Sequence, residues 1–272
     1  MGQELLEVKN LSVSFRMYQG ALKHTLVTGM HGVNLRLTTG EILAVVGASG
    51  SGKSLLAHAV LGILPYNAVT SGEMLYRGTA LDAARQEELR GRELALIPQS
   101  VTYLDPLMRV GEEVCGLHGS PVDMAATFRR LHLEEKVQRL YPFQLSGGMA
   151  RRVLFSTAVI TDAALIIADE PTPGMDVKSA VEALQLLREL ADAGKSILLI
   201  THDIDLAVEV ADTVAVFYEG RTVDRVPAAA FCGDGSDLQH PYTQALYHAL
   251  PQNSFKVYSA QEVRQMTEAG GA

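Results

Sequence analysis

Three short apolar runs stand out along the chain, at residues 42–46 (Ile-Leu-Ala-Val-Val), 164–168 (Ala-Leu-Ile-Ile-Ala) and 196–201 (Ser-Ile-Leu-Leu-Ile-Thr). Continuous apolar runs of this length read as strands buried on both faces. Strict alternation of apolar and polar positions marks further strands at 6–9, 11–15 and 33–37. Residues 72–78 read as a strand entering a turn. Residues 94–97 form another, which stops at Pro98-Gln99. Residues 214–218 and 221–223 flank Glu219-Gly220 as a hairpin. Helical spacing falls at 55–61, 83–92, 177–190, 206–211 and 242–249. In 177–190 the stripe runs through Val177, Val181 and Leu184 toward Ala191. Strand patterning stops between 105 and 145, where Met124, Phe128, Leu131, Val137 and Leu140 recur at helical intervals. The pattern predicts an α/β core interrupted by a helical insertion. From about residue 227 the composition becomes loop-like, and a polar tail ends the chain.

Composition adds bounds. With 272 residues, 47% of them hydrophobic, the chain can build one large or two small domains. A net charge of −8 argues against broad, unspecific nucleic-acid binding. Cys115 and Cys232 lie far apart and form no zinc spacing, which suits a reducing cytosol. The first residues lack the basic-then-apolar order of a signal peptide. The longest apolar helical candidate, 55–64, falls well short of the roughly 20 residues that span a bilayer. Any membrane role is expected to come through a partner.

The richest chemistry follows the first buried strand. Gly47-Ala48-Ser49-Gly50-Ser51-Gly52-Lys53-Ser54 fits G-x-x-x-x-G-K-[ST], and a helix pattern comes next. Glycines let backbone N–H groups close around a phosphate chain. The helix N-terminus adds its positive dipole end. Lys53 supplies a cation for the β- and γ-phosphates, and Ser54 a hydroxyl for Mg²⁺. The loop by itself says only that a nucleoside triphosphate binds.

The other candidates emerge at strand ends. Asp169 and Glu170 close the second buried run, and His202 follows the third. In doubly wound sheets that edge is where ligands bind. Asp169 suits Mg²⁺, and Glu170 can accept a proton from an attacking water. Gln99 sits where a strand leaves the core, as an ordinary loop residue or a sensing group. Phe15 can stack on a purine or pack in a strand, and its residues alone favour packing. Ser146-Gly147-Gly148 opens a helix and makes a second anion site, though alone it is a common cap. On that helix Ala150, Val153, Leu154, Thr157 and Ala158 are expected to face inward, with Arg151 and Arg152 pointing away.

Together these residues resemble the ATP-binding subunit of an ATP-binding cassette (ABC) transporter. Walker A is Gly47 to Ser54, the Q-loop glutamine Gln99, and the signature Leu145-Ser146-Gly147-Gly148-Met149. Walker B ends at Asp169 with Glu170 beside it; Asp176 matches the D-loop aspartate and His202 the switch histidine. All stand in the family's order over about residues 5–225. Leu104-Asp105-Pro106, then His240-Pro241-Tyr242-Thr243-Gln244-Ala245-Leu246, are similar to motifs of the peptide/nickel importer group. Tyr141-Pro142-Phe143 resembles its nickel branch. Met149 stands where most cassettes have glutamine, and Pro173-Gly174-Met175 departs from the usual Thr-Ala-Leu.

The resemblance implies a phosphate-loop NTPase with a RecA-like core, an N-terminal antiparallel β subdomain and a helical subdomain at about 105–160. The cassette would span 1–235 and a C-terminal extension 236–272. It implies ATP and Mg²⁺ as ligands, the metal held by Ser54, Gln99 and Asp169, and no iron–sulfur cluster. Glu170, His202 and Gln99 would serve catalysis. Phe15, Gly47, Ser49, Gly50, Ser51, Gly52, Lys53 and Ser54 would hold the nucleotide, joined by Ser146, Gly147, Gly148 and Asp176 across a head-to-tail pair. Implied partners are a second ATPase subunit, two transmembrane permease subunits and an extracytoplasmic solute-binding protein, at the cytoplasmic face of the membrane and without nucleic acid. The cargo class is oligopeptide, dipeptide, nickel or a metal–chelator complex. The rival reading is a cassette ATPase of DNA repair or translation; the coiled coils, zinc modules or tandem cassettes of those relatives are absent from this sequence.

Overall fold

A computed structural model describes residues 3–19, 23–116, 119–256 and 258–270. Its centre is a six-stranded sheet. Strands β3 (Ile42–Gly47), β6 (Leu94–Ile97), β7 (Leu165–Asp169), β8 (Ser196–Thr201) and β9 (Thr213–Tyr218) run parallel, and β10 (Arg221–Pro227) closes one edge antiparallel. The order across the sheet is β10-β9-β3-β8-β7-β6. A second, antiparallel sheet has the order β2-β1-β4-β5, from β1 (Glu4–Gln19), β2 (Lys23–Thr38), β4 (Ala68–Tyr76) and β5 (Thr79–Ala80).

The apolar runs are continuous because both faces of the central sheet are covered. Ile42, Ala44 and Val46 face a core shared with Ile166, Ala168, Ile197 and Leu199. Leu43 and Val45, one residue out of phase, face a second core with Leu165, Ile167, Leu198 and Ile200. Alternate residues of a strand point to opposite faces, so each run feeds two cores at once. The second core holds Leu56 and Val60 of helix α1 (Lys53–Leu61) against Leu6, Val13 and Leu37 of the antiparallel sheet. Burying each such leucine or valine contributes roughly 1.5–3 kcal/mol, which fixes α1 directly behind the phosphate loop. Gly62, at φ 66°, ends α1.

The first core carries the helices: α3 (Val110–Cys115), α4 (Pro121–Arg130), α5 (Gly147–Val159), α6 (Val177–Asp192), α7 (Ile204–Val210) and α8 (Pro241–Ala249). The remaining helices are α2 (Ala83–Leu89) and α9 (Ala260–Gly270). The helical insertion is present, but broken into α3, α4 and tight turns at Glu135–Arg139 and Pro142–Gln144 rather than long helices. Leu117 and His118 of that region lie outside the described residues.

Four local expectations are corrected. The strands at 6–9 and 11–15 are one strand, β1, whose register shifts at bulges between Val8 and Val13. The polar tail forms α9, which buries Val263. Val177 is 79% exposed, because the first turn of α6 projects past the core and the buried stripe starts at Ala180. Arg151 does not point away: it is buried, and its guanidinium donates to the carbonyls of Pro98 (3.0 Å) and Gln99 (2.5 Å).

Candidate active site

Four parallel strands end side by side, and each delivers chemistry at its C-terminal edge. β3 ends at Gly47, β7 at Asp169, β8 just before His202, and β6 two residues before Gln99. Adjacent strands therefore bring together groups far apart in sequence.

The loop after β3 can be formed only with glycine at two points. At Gly47 a Cβ would sit 2.2 Å from the carbonyl oxygen of Phe217 on the neighbouring strand. Gly52 caps α1 at φ 92°, where a Cβ would lie 2.8 Å from the Gly29 oxygen. The loop folds back on Lys53, whose ammonium donates to Gly47 O at 2.8 Å and Ala48 O at 2.9 Å. Burial pushes the Lys53 pKa down, and the carboxylates of Glu170 and Asp169 offset part of that. The Ser51 hydroxyl is buried without a hydrogen-bond partner. A cation taken out of water, an orphaned hydroxyl and a loop shaped by absent Cβ atoms fit an anionic ligand.

Ser54 donates to Asp169 Oδ1 at 3.0 Å. Asp169 is 3% exposed, and burial holds its pKa above the ordinary carboxylate value, although the Ser54 bond works against this. Two hard oxygen donors in contact fit Mg²⁺. Among the described residues no group of three or more His, Cys, Asp or Glu could hold a metal alone, so phosphate oxygens and water would complete its shell.

Glu170 is buried and holds a left-handed backbone, φ 47°. Its N–H bonds Ile200 O at 2.8 Å, so the β7–β8 ladder imposes this conformation. Strain of this kind, on the order of 1–3 kcal/mol, gathers where a side chain must be aimed. The aim here is toward His202: its Nδ1 lies 2.8 Å from Glu170 Oε2. Gln99 is exposed and lines a cleft of about 300 Å³ with Gly29, Ser49, Gly50, Lys53, Ser54 and Glu170. Phe15 is half-buried beside Gly29 and packs on the second core.

The signature lies elsewhere. Neither Ser146, Gly147, Gly148 nor Asp176 lines that cleft. Ser146 caps α5, accepting from the Met149 N–H at 3.3 Å, and a Cβ on Gly147 or Gly148 would meet nothing within 4 Å. Asp176 caps α6 through Ser179, whose hydrogen bonds draw its pKa down. The departing segment Pro173-Gly174-Met175 makes a turn, with Met175 N–H bonded to Thr172 O and Gly174 at φ 82°, so Asp176 still reaches its capping position.

Two buried residues that serve this region were missed as site residues. Arg151 ties the start of α5 to the backbone at Gln99. Tyr242 accepts a hydrogen bond from the Ala48 N–H at 3.0 Å. Only the quoted His-Pro-Tyr motif pointed toward the second, and nothing local pointed toward the first.

A parallel sheet whose phosphate loop, paired carboxylates and histidine share one edge, with a serine-glycine helix start outside that cleft, defines an ABC-type ATPase. The chain belongs to the ABC transporter family, which residues 30–173 match, and it is an ATP-binding, ATP-hydrolysing subunit of that family. It is 36% identical over 265 residues to the oligopeptide transport ATP-binding protein OppD of Bacillus subtilis (strain 168), covering 91% of this chain and 72% of OppD. It is 34% identical over 267 residues to the dipeptide transport ATP-binding protein DppD of Lactococcus lactis subsp. cremoris (strain MG1363), covering 92% and 74%. The ATP-binding cassette MJ0796, solved as a dimer in a post-hydrolysis state bound to ADP and Pi, has the same fold, with TM-score 0.72 and 24% identity over 82% of this chain and 99% of that one. Among the described residues no helix is long and apolar enough to cross a membrane.

Proposed function

We propose that this chain powers the import of oligopeptides or dipeptides, working at the cytoplasmic face of a membrane. The observation that carries the reading is the identity of about one third, over nine-tenths of the chain, to subunits named for oligopeptide and dipeptide transport. Nickel and metal–chelator cargo rest on motif likeness alone, most specifically at Tyr141-Pro142-Phe143, and are the weaker reading. The cassette comprises residues 1–235, with a helical subdomain at 105–160, and the extension 236–272. Partners are a second ATPase subunit, two permease subunits and a solute-binding protein.

In this reading the loop N–H groups and Lys53 grip the phosphates, and Phe15 supports the base. Ser54, Gln99 and Asp169 would hold Mg²⁺, which would supply positive charge to offset that of the phosphates. Glu170 takes a proton from the attacking water, and His202 holds that carboxylate and contacts the γ-phosphate through its other nitrogen. Ser146 and Gly147, which are exposed, and half-buried Gly148 present the α5 N-terminus to the nucleotide of the paired subunit, with Asp176 at the same seam. Hydrolysis removes the shared anion and the pair separates.

Uptake of labelled di- and oligopeptides by cells whose only copy is Lys53→Ala tests this. Lost uptake is expected. Unchanged peptide uptake alongside lost nickel uptake would reassign the cargo.

A further inference from the structure

The chain after β10 returns to the phosphate loop. His240 caps α8, its Nδ1 accepting from the Tyr242 N–H at 3.2 Å. Pro241 fills the first helical position, where a missing N–H has no consequence. Gln244 braces the approach by donating to Leu238 O at 2.8 Å. The motif thus sets one side chain, Tyr242, which is 5% exposed. Its ring lies 4.4 Å, centroid to centroid, from that of Tyr218 on β9. The residue before Tyr218 is Phe217, the strand partner of Gly47. The wall of the phosphate loop and the seat of Tyr242 are therefore one strand.

The peptide group between Gly47 and Ala48 is held from both sides. Its N–H donates to Tyr242 Oη at 3.0 Å, and its carbonyl accepts from the Lys53 ammonium at 2.8 Å. The next carbonyl, of Ala48, accepts from Lys53 at 2.9 Å and from the Ser51 N–H at 3.2 Å. Ala48 itself is exposed, so on its N–H side the phenol is the group that fixes this peptide, while Lys53 holds its carbonyl. The same extension reaches the other side of the site: Gln252 donates to Asp205, in the first turn of α7 just after His202, at 2.9 Å.

We propose that Tyr242 is a positioning residue for nucleotide binding, its phenol orienting the Gly47–Ala48 peptide and, through that carbonyl, the ammonium of Lys53. The C-terminal segment is then a working part of the nucleotide site and not an appendage to the cassette. The proposal rests on the loop binding ATP.

The test uses the full chain carrying Tyr242→Phe, which keeps the ring on Tyr218 and removes one oxygen. Tyr247→Phe is the control, because it strips a hydroxyl from the same helix that bonds Gly233 O and not the loop. Amide hydrogen exchange of the nucleotide-free protein, ATP binding, and ATPase KM and kcat in the assembled transporter are read together. In Tyr242→Phe the Ala48 amide is expected to exchange at least fivefold faster. Binding should weaken about fivefold and KM rise in step, for the loss of one hydrogen bond. kcat should stay within about twofold. Tyr247→Phe should leave the loop amides and KM as in the wild type. Unchanged loop exchange and affinity in Tyr242→Phe would overturn the proposal. So would the same change in Tyr247→Phe, which would mark a general loosening of α8. A wild-type chain that does not bind ATP would overturn the nucleotide reading instead, while the exchange data, taken without nucleotide, still decide whether Tyr242 holds the loop.

Discussion

The Nδ1 of His202 and a carboxylate oxygen of Glu170 lie 2.8 Å apart, at the ends of two neighbouring parallel strands. Glu170 is buried in a left-handed backbone, while the His202 side chain is 61% exposed. The buried partner is held by the sheet, and the exposed one can meet an incoming group. Glu170→Gln keeps the shape and the contact but cannot take a proton. Steady-state ATPase of the assembled complex should fall at least about 100-fold, with ATP affinity within about twofold of wild type. Near-normal turnover would remove Glu170 from the role of base.

Asp169 couples function to stability with a definite sign. Burial raises its folded-state pKa, so the native state holds the proton more tightly than the unfolded chain. Stability from this group is full below the ordinary carboxylate pKa and is lost as pH rises through the folded value. Asp169→Asn removes the titration and keeps an acceptor for Ser54. At pH 7 to 8 the variant should melt above wild type, the gap closing as pH falls from the raised folded value toward the ordinary carboxylate value of about 4. Its ATPase should be lost. A gap that widens on acidification would contradict the direction of the shift.

Arg151 is a buried cation that bonds two backbone carbonyls and has no carboxylate partner among the described residues. Removing a buried charge is often harmless, but here two carbonyls would be stranded at the exit of β6. Arg151→Met should destabilise the chain by roughly 2–3 kcal/mol in urea unfolding. Arg151→Lys should recover part of it, since an ammonium has donors enough for both carbonyls but sits on a shorter side chain than the guanidinium nitrogen that bonds them now. Equal stability of Arg151→Met and wild type would show these bonds to be dispensable.

Two glycines of the phosphate loop separate steric from conformational demand. Gly50, at φ 79°, has open space where a Cβ would go, so Gly50→Ala should cost only about 1–2 kcal/mol of backbone strain. Gly47 has the Phe217 carbonyl there, and β3 cannot yield without breaking its pairing with β9. Gly47→Ala should lose more than about 3 kcal/mol or fail to accumulate. Similar stabilities for the two would contradict the contact.

The parts of the site legible from sequence are those carried by strands buried on both faces. β3, β7 and β8 are unbroken apolar runs because cores press on them from either side, and their first polar residues are necessarily the edge of the sheet. Gly47, Asp169 and His202 were readable for that reason. Arg151 was not, because amphipathic patterning assigns a charge to the outer face and carries no knowledge of the Pro98 and Gln99 carbonyls, which lie just past β6 and more than 50 residues away. Tyr242 meets Ala48 across 194 residues, a contact that no local period encodes. Val177 misled for a simpler reason: it continues the helical stripe of α6 beyond the point where there is a core to meet it.

The proposed function divides labour within one chain: the phosphate loop would grip one nucleotide and the serine-glycine helix start would complete the site of another. Ser146→Arg places bulk and charge on the exposed cap of α5 without touching the loop cleft. Measured side by side, ATP binding to the isolated subunit should match wild type, while ATPase of the assembled transporter should fall to background. Full hydrolysis by that variant, or loss of ATP binding in the isolated subunit, would contradict the division.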